Sequence, residues 1–340
     1  MDSVFMRLGI SWFISFLLTF YLVPLCAALA KKLNILDMPD GRIKVHKEPV
    51  PYLGGVAVFM GFIASLAIVF PYDNKIGLFL IGTTLLLFVG IVDDLVRIKP
   101  YQKFFWQIIA AFGFLKSGLY LKETFFLNNI WTLPLSLLWI LTIINAFNLV
   151  DVMDGLATTI ALCVATMLLA MALITKQYNV ALLLLCFLGS LSAFLYYNKP
   201  SAKIYLGDAG SLFIGGFLAA IPFLIQWEVY NPYGFITPLI IFLIPLLEVV
   251  TLVIVRTYKG IPFYYGSPDH FSIYLQQGGW SKKKILFFVL YLSLFLLLIA
   301  VLFMMNRITF LTLSFLLFII LSLWLIAIWI NPKARLFVHI

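Results

Sequence analysis

Apolar runs separated by short polar interruptions continue along the whole chain. Eleven of them come close to the roughly 20 helical residues needed to cross a hydrocarbon core of about 30 Å. They are Leu8 to Leu29, Leu53 to Phe70, Ile76 to Val92, Phe104 to Leu119, Trp131 to Val150, Leu156 to Thr175, Val180 to Tyr197, Ser211 to Ile225, Phe235 to Val255, Ile285 to Met305 and Phe310 to Ile330. The pattern predicts an all-α polytopic integral membrane protein with about 11 transmembrane helices, forming a single transmembrane domain over 1–340. The longest polar stretches, 30–52 and 256–284, are too short to build a core alone, so chemistry must come from loops and helix ends. LCAALA in the first run imitates a signal-peptide cleavage site. The basic pair Lys31 and Lys32 follows the apolar stretch instead of preceding it, and the run is kept as a helix.

Composition agrees with the pattern: 64% of residues are hydrophobic and 11% charged, with a mean hydropathy of +1.09. Such a chain lacks the polar surface of a water-soluble globule. With eleven spans, the odd-numbered connections and the C-terminus carry 17 of the 23 lysines and arginines, and the opposite side carries 6. The richer side is expected to be cytoplasmic, with the N-terminus outside and the C-terminus inside. The net charge of +9 is therefore a topology signal. No basic run is long or free of membrane, which argues against nucleic acid as a partner. Cys26, Cys163 and Cys186 all lie in apolar runs without metal-ligand spacing and are expected to be fillers.

Most of the 14 acids fall on the expected cytoplasmic side, although carboxylates contribute little to orientation. In GIVDDLVRIKPYQK, Asp93 and Asp94 are adjacent like charges, which a divalent cation would relieve, and Arg97, Lys99 and Lys103 follow as anion-binding groups. In NAFNLVDVMDGLA, the residues Asn145, Asn148, Asp151 and Asp154 recur every three positions. One continuous helix would splay them around its axis, so the fifth span is expected to end near Asp151 and the chain to turn at Gly155. In AKIYLGDAGSLFIG, Asp208 is flanked by glycines at a helix start, where amides can face an anion, and Tyr205 offers a face for a flat base. The loop RTYKGIPFYYGSPDHFSIYLQQGGWS places Arg256, Lys259, Asp269 and His270 among aromatics. Lys44, His46 and Lys47 precede PVPYLGG at the same expected mouth. Cation-attracting acids, phosphate-binding bases and stacking aromatics together suggest a membrane enzyme that handles a diphosphate.

The ordered set DMPDGRIKVHKEPVPYLGG, GIVDDLVRIKPYQK, NAFNLVDVMDGLA, AKIYLGDAGSLFIG and SPDHFSIYL followed by GGWS resembles the polyprenyl-phosphate N-acetylhexosamine-1-phosphate transferases, from about Asp37 to Ser281. The resemblance implies transfer of a sugar 1-phosphate, most naturally GlcNAc-1-phosphate, from a UDP-N-acetylhexosamine to undecaprenyl phosphate with release of UMP. It implies Mg²⁺, with Mn²⁺ able to substitute, in a bacterial inner membrane. It places Asp93 and Asp94 at the catalytic acidic pair, with Asp208 and Asp94 at the metal. Lys47, Asn148, Asp151, Asp154 and Tyr205 fall at the nucleotide, and Arg97, Lys103, Arg256 and His270 at phosphate or sugar. The chain departs from the family where Val152 replaces a glycine, and where Ser272, Ile273 and Tyr274 stand in place of further histidines and an arginine. The alternatives are a phospho-MurNAc-pentapeptide transferase and, outside enzymes, a transporter with an intramembrane acidic ion site. The bilayer is the implied environment, and exposed apolar helices would admit a homodimer.

Overall fold

The computed structural model describes residues 2–37, 49–70, 74–122, 129–262 and 264–329. Lys47 and the neighbouring Lys44 and His46 lie outside them. Two compact units divide the chain, 1–225 and 226–340.

In the first unit, α1 (Asp2–Lys32) precedes a minimal antiparallel pairing of β1 (Leu36–Asp37) with β2 (Val50–Pro51), in which Leu36 faces Pro51 and Asp37 faces Val50. Seven helices follow: α2 (Gly54–Val69), α3 (Asn74–Val96), α4 (Pro100–Lys116), α5 (Asn129–Val150), α6 (Leu156–Ile174), α7 (Tyr178–Asn198) and α8 (Gly207–Ala220). The second unit holds α9 (Thr237–Ile241), α10 (Leu243–Tyr258), α11 (Phe271–Gln277), α12 (Lys282–Met304) and α13 (Phe310–Trp329). Local signals set several ends. Pro100 occupies the first turn of α4, where its missing N–H costs nothing, and the Lys99 amide donates to Gln102 Oε1 at 3.0 Å. Ser281 caps α12 by accepting from the Lys284 amide.

Among the described residues, eight helical segments are long and apolar enough to cross a membrane, or nine if a bent pair is one span. The chain is an all-α, multi-pass membrane protein. All eleven expected stretches contain helix, but α2 and α4 have only 16 and 17 residues. The ninth expected stretch is not one straight helix. It bends by 65° between Gly234–Ile241 and Leu243–Tyr258. Pro245 has no N–H for the Ile241 carbonyl four residues back, which explains why the helical ladder breaks there.

The first unit is organised around α8, in which every residue except Asp208 is buried. Phe187 on α7 stacks on Phe217 of α8 with ring centroids 4.0 Å apart, and Phe62 of α2 meets Phe217 edge-on at 5.2 Å. Small residues let backbones close in around the start of α8. A Cβ added at Gly90 of α3 would lie 2.3 Å from the Asp208 carbonyl oxygen and 2.4 Å from Ala209. Gly90→Ala is therefore expected to cost about 1–3 kcal/mol through overpacking, read as a lowered thermal unfolding midpoint in detergent. Gly77→Ala on the same helix, with nothing within 4 Å of the new methyl, serves as the neutral control. Equal midpoints for the two variants would contradict this packing.

Candidate active site

α3 ends in the acidic pair, and the two side chains leave it in different directions, as neighbours 100° apart on a helix must. Asp93 turns toward α4. Its Oδ1 accepts from the Ile98 amide at 3.0 Å and its Oδ2 lies 2.8 Å from Lys103 Nζ. Asp94 turns toward α8, where Oδ1 accepts from the Asp208 amide at 2.8 Å and Oδ2 from the Ala209 amide at 3.0 Å. Each carboxylate thus has hydrogen-bond partners of its own, Lys103 and the Ile98 amide for Asp93 and two α8 amides for Asp94. Gly207 adopts φ +74, and a Cβ there would press on Asp94 Oδ2 at 2.6 Å, so this cap requires glycine.

Asp208 stands in the first turn of α8, 3.0 Å from Lys103 Nζ. Asn148, in the last turn of α5, donates from Nδ2 to Asp208 Oδ1 and to Ser211 Oγ, and its Oδ1 accepts from Lys103 at 3.2 Å. One ammonium therefore sits among two carboxylates and an amide oxygen. Burial works against its charge, but Asp208 and Asp93 outweigh burial and hold Lys103 above the ordinary lysine value. Asn145, one turn earlier on α5, is used differently: it exchanges amide hydrogen bonds with buried Gln107, fastening α4 to α5.

The turn between α5 and α6 runs from Asp151 to Gly155, and Gly155 takes φ +72, as the spacing of the asparagines and aspartates implied. Val152 is exposed and does not adopt positive φ, so a side chain fits where the family carries glycine. Asp151 is pushed up to about 8, by burial first and then by the charges of Asp208, Asp94 and Asp154. Asp154 Oδ2 accepts from the Ala202 amide at 3.5 Å. Tyr205 is held by backbone bonds to Pro51 and Gly54, and its ring lies 6.1 Å from that of Tyr52. Both phenols are pushed above their ordinary value by burial and then by the surrounding acids: Asp154, Asp37 and Asp151 for Tyr205, and chiefly Asp37 for Tyr52.

Arg97 is exposed at the end of α3 in a left-handed conformation. Arg256 and His270 belong to the second unit. There Arg256 Nε donates to Ser267 Oγ at 2.9 Å, and His270 starts α11. Burial raises the Asp269 carboxyl, but hydrogen bonds from Lys259, Tyr274 and Ser267 outweigh it and hold the group below the usual range. Lys47 lies outside the described residues, so its expected place at the nucleotide has no structural counterpart here.

The first-unit acids suit a small hard cation. Among the described residues, no three acidic, histidine or cysteine side chains are gathered tightly enough to enclose a metal alone. Asp93 and Asp208 converge on one cation position, that of Lys103 Nζ. Two carboxylates with remaining positions for phosphate oxygens match the donor set of Mg²⁺.

The profile described as Glycosyl transferase family 4 matches residues 76–226, from α3 through α8. A probable undecaprenyl-phosphate N-acetylglucosaminyl 1-phosphate transferase of Bacillus subtilis (strain 168) is 29% identical over 293 residues, covering 83% of this chain and 81% of the relative. The phospho-N-acetylmuramoyl-pentapeptide-transferase of Carboxydothermus hydrogenoformans is 27% identical, with 75% and 85% covered. The undecaprenyl-phosphate alpha-N-acetylglucosaminyl 1-phosphate transferase of Escherichia coli O157:H7 is also 27% identical, with 79% and 76% covered. The chain is thus similar, over most of its length, to polyprenyl-phosphate sugar-1-phosphate transferases.

Within this transferase framework, three residues near the site were not singled out by their sequence context. Asn198 is buried at the end of α7. Its Oδ1 accepts from the Gly155 amide at 3.1 Å and from Thr158 Oγ1 at 3.0 Å, and its Nδ2 donates to the Ile204 carbonyl at 3.0 Å. It ties the Asp151 turn to the Tyr205 segment. Tyr52 donates to Asp37 Oδ1 at 2.7 Å across the β1–β2 pairing. Gln107 is the third. The available signals were a polar NKP after an apolar run, an aromatic in PVPYLGG, and an amide among the apolar residues of α4 beyond its first turn.

Asp151 also sets a pH dependence. With a folded value of about 8 against 3.8 unfolded, the native state holds the extra proton between those limits. Stability of the metal-free protein should therefore fall as pH rises from about 4 to about 8 and level off above. Thermal unfolding in chelator across this range should show the fall, and Asp151→Asn should remove part of it. An identical slope in the variant would contradict the assigned titration.

Proposed function

We propose that the chain transfers N-acetylhexosamine 1-phosphate, specifically GlcNAc-1-phosphate, from UDP-GlcNAc to undecaprenyl phosphate. A lipid phosphate oxygen attacks the sugar-bearing phosphorus, the bond from that phosphorus to the oxygen of UMP breaks, and a lipid-linked pyrophosphoryl sugar remains. The observation that carries this reading is the junction of Asp93, Lys103, Asn148 and Asp208 at helix ends. The proposal extends to a bacterial inner membrane, with these helix ends at the cytoplasmic face and eleven crossings of the bilayer.

Asp208, with Asp93 beside it, is the carboxylate that would hold Mg²⁺, whose charge would neutralise the diphosphate and the departing UMP. Asp93 orients the lipid phosphate or takes its remaining proton. A phosphate monoester with a second pKa of about 6 is already largely ionised at neutral pH, so orientation is the larger contribution. Asp94 holds Asp208 in place through the start of α8, and so takes a positioning role in place of a direct share in the chemistry or the metal. Lys103 is suited to meet phosphate oxygens once a metal takes over the acids. Tyr205, Asn148, Asp151, Asp154 and Lys47 are assigned to the nucleotide. Arg97, Arg256 and His270 are assigned to phosphate or sugar from their sequence motifs alone.

A transporter would carry its acids near span midpoints and a route through both faces. Here Asp93 and Asp94 lie in the last turn of α3, Asp208 in the first turn of α8, and Asp151 and Asp154 between helices, which favours an enzyme. The absence of the histidine triplet of the phospho-MurNAc-pentapeptide type argues against that donor.

The test is UMP release by detergent-purified protein given undecaprenyl phosphate, Mg²⁺ and, in parallel, UDP-GlcNAc, UDP-GalNAc and UDP-MurNAc-pentapeptide. UDP-GlcNAc should be the productive donor. Asp208→Ala and Lys103→Met should each lower turnover by about 10²-fold or more. Near-wild-type turnover by Asp208→Ala would end the assignment.

A further inference from the structure

The first unit holds a phenol–carboxyl pair that the proposed chemistry does not use. Asp37 at the end of β1 is buried, and its Oδ1 accepts from the Tyr52 hydroxyl at 2.7 Å. Tyr52 follows β2, and its amide donates to the Ile35 carbonyl at 3.2 Å. Its ring lies 6.1 Å from that of Tyr205 at a tilt of 51°, within the range at which two aromatic rings attract. The two backbones are joined as well. The Tyr205 amide donates to the Pro51 carbonyl at 2.9 Å, and the Tyr205 and Leu206 carbonyls accept from the Gly54 and Gly55 amides at 3.0 and 2.9 Å. Glycine permits this approach: a Cβ at Gly54 would lie 2.5 Å from the Tyr205 carbonyl oxygen, and one at Gly55 would lie 2.2 Å from Gly210.

We infer that Tyr52 and Asp37 are positioning residues for the nucleobase: Tyr52, tethered through its hydroxyl to Asp37, holds the Tyr205 ring in the orientation in which a uracil stacks on it. Backbone bonds fix where a side chain begins, not where it points, because the side-chain torsions choose among separate wells. A neighbouring ring narrows that choice, and it does so best when its own far end is held. Asp37 supplies that hold whatever its charge, since a carboxyl oxygen accepts from a phenol in either state. A ring ordered before the ligand arrives spares binding the cost of ordering it. The stacking role of Tyr205 rests on the proposed transferase reading, whereas the chain from Asp37 through Tyr52 to Tyr205 rests on the coordinates alone.

The experiment uses full-length protein in detergent and two readouts. In the first, 4-trifluoromethylphenylalanine stands in place of Tyr205 and carries its fluorines on the ring axis, where ring flips do not split the signal. The ¹⁹F spectrum should show one narrow resonance in the otherwise wild-type chain, and several, or a broadened one, when Tyr52→Leu is added. The second readout is affinity for UMP and for ribose 5-phosphate, a sugar phosphate without the base. Tyr52→Leu should bind UMP about 2–10-fold more weakly, the worth of one aromatic pair, and ribose 5-phosphate as the wild type does. Tyr52→Phe keeps the ring but loses the tether and should fall between. Asp37→Asn keeps an acceptor oxygen for the hydroxyl and should match the wild type. A single unbroadened resonance in the Tyr52→Leu background overturns the inference, as does unchanged UMP affinity or an equal loss for both ligands. If the wild type prefers UMP no more than ribose 5-phosphate and releases no UMP from any UDP-sugar, the transferase reading falls by itself, and the ring signal still decides whether Tyr52 holds Tyr205.

Discussion

Asp94 reaching from the end of α3 to the first amides of α8 is the contact on which the rest of the first unit depends. A helix start leaves N–H groups without partners, and burial of the start of α8 keeps water from meeting them. A carboxylate that accepts two of them makes charge-assisted bonds, each worth roughly 1.5–3 kcal/mol. The consequences run outward. Two backbones must approach closely, so Gly90 can carry no side chain; the chain must enter α8 through a left-handed residue, so Gly207 is glycine. Asp208 is then presented in the first turn, where Lys103 and Asn148 reach it.

The same device recurs in the second unit, where buried Glu248 accepts from the Phe271 amide beside His270. In each unit an acid on one helix fixes the start of another, and the neighbouring residue at that start carries the proposed chemistry. Helix ends are the places where polar groups of a membrane protein can be both anchored and exposed. Several acids and the Lys103 ammonium share the mouth around Asp208, and Asp151 is pushed up there by burial first and then by the charges of Asp208, Asp94 and Asp154.

Much of this was legible in the sequence, because hydropathic length, glycine placement and residue spacing are local properties. The helical stretches, the break at Asp151 to Gly155 and the position of Asp208 at a helix start all follow from such signals. Partner choice is not local. Asp93 and Asp94 are neighbours in the sequence, yet a 100° step around α3 gives them hydrogen-bond partners on α4 and α8 respectively. Asn198 joins two segments of the site through partners distant in sequence, which its local context does not reveal. The bend before α10 had its cause in plain view at Pro245, but apolar length alone suggested an unbroken span.

Amide hydrogen exchange over the segment 205–212 tests the central contact most directly. The Asp208 and Ala209 amides should exchange slowly in the wild type and at least about tenfold faster in Asp94→Ala, as loss of charge-assisted bonds of this strength requires. Wild-type amides that exchange as freely as those of an open helix start, or rates unchanged by the substitution, would show that Asp94 does not hold α8.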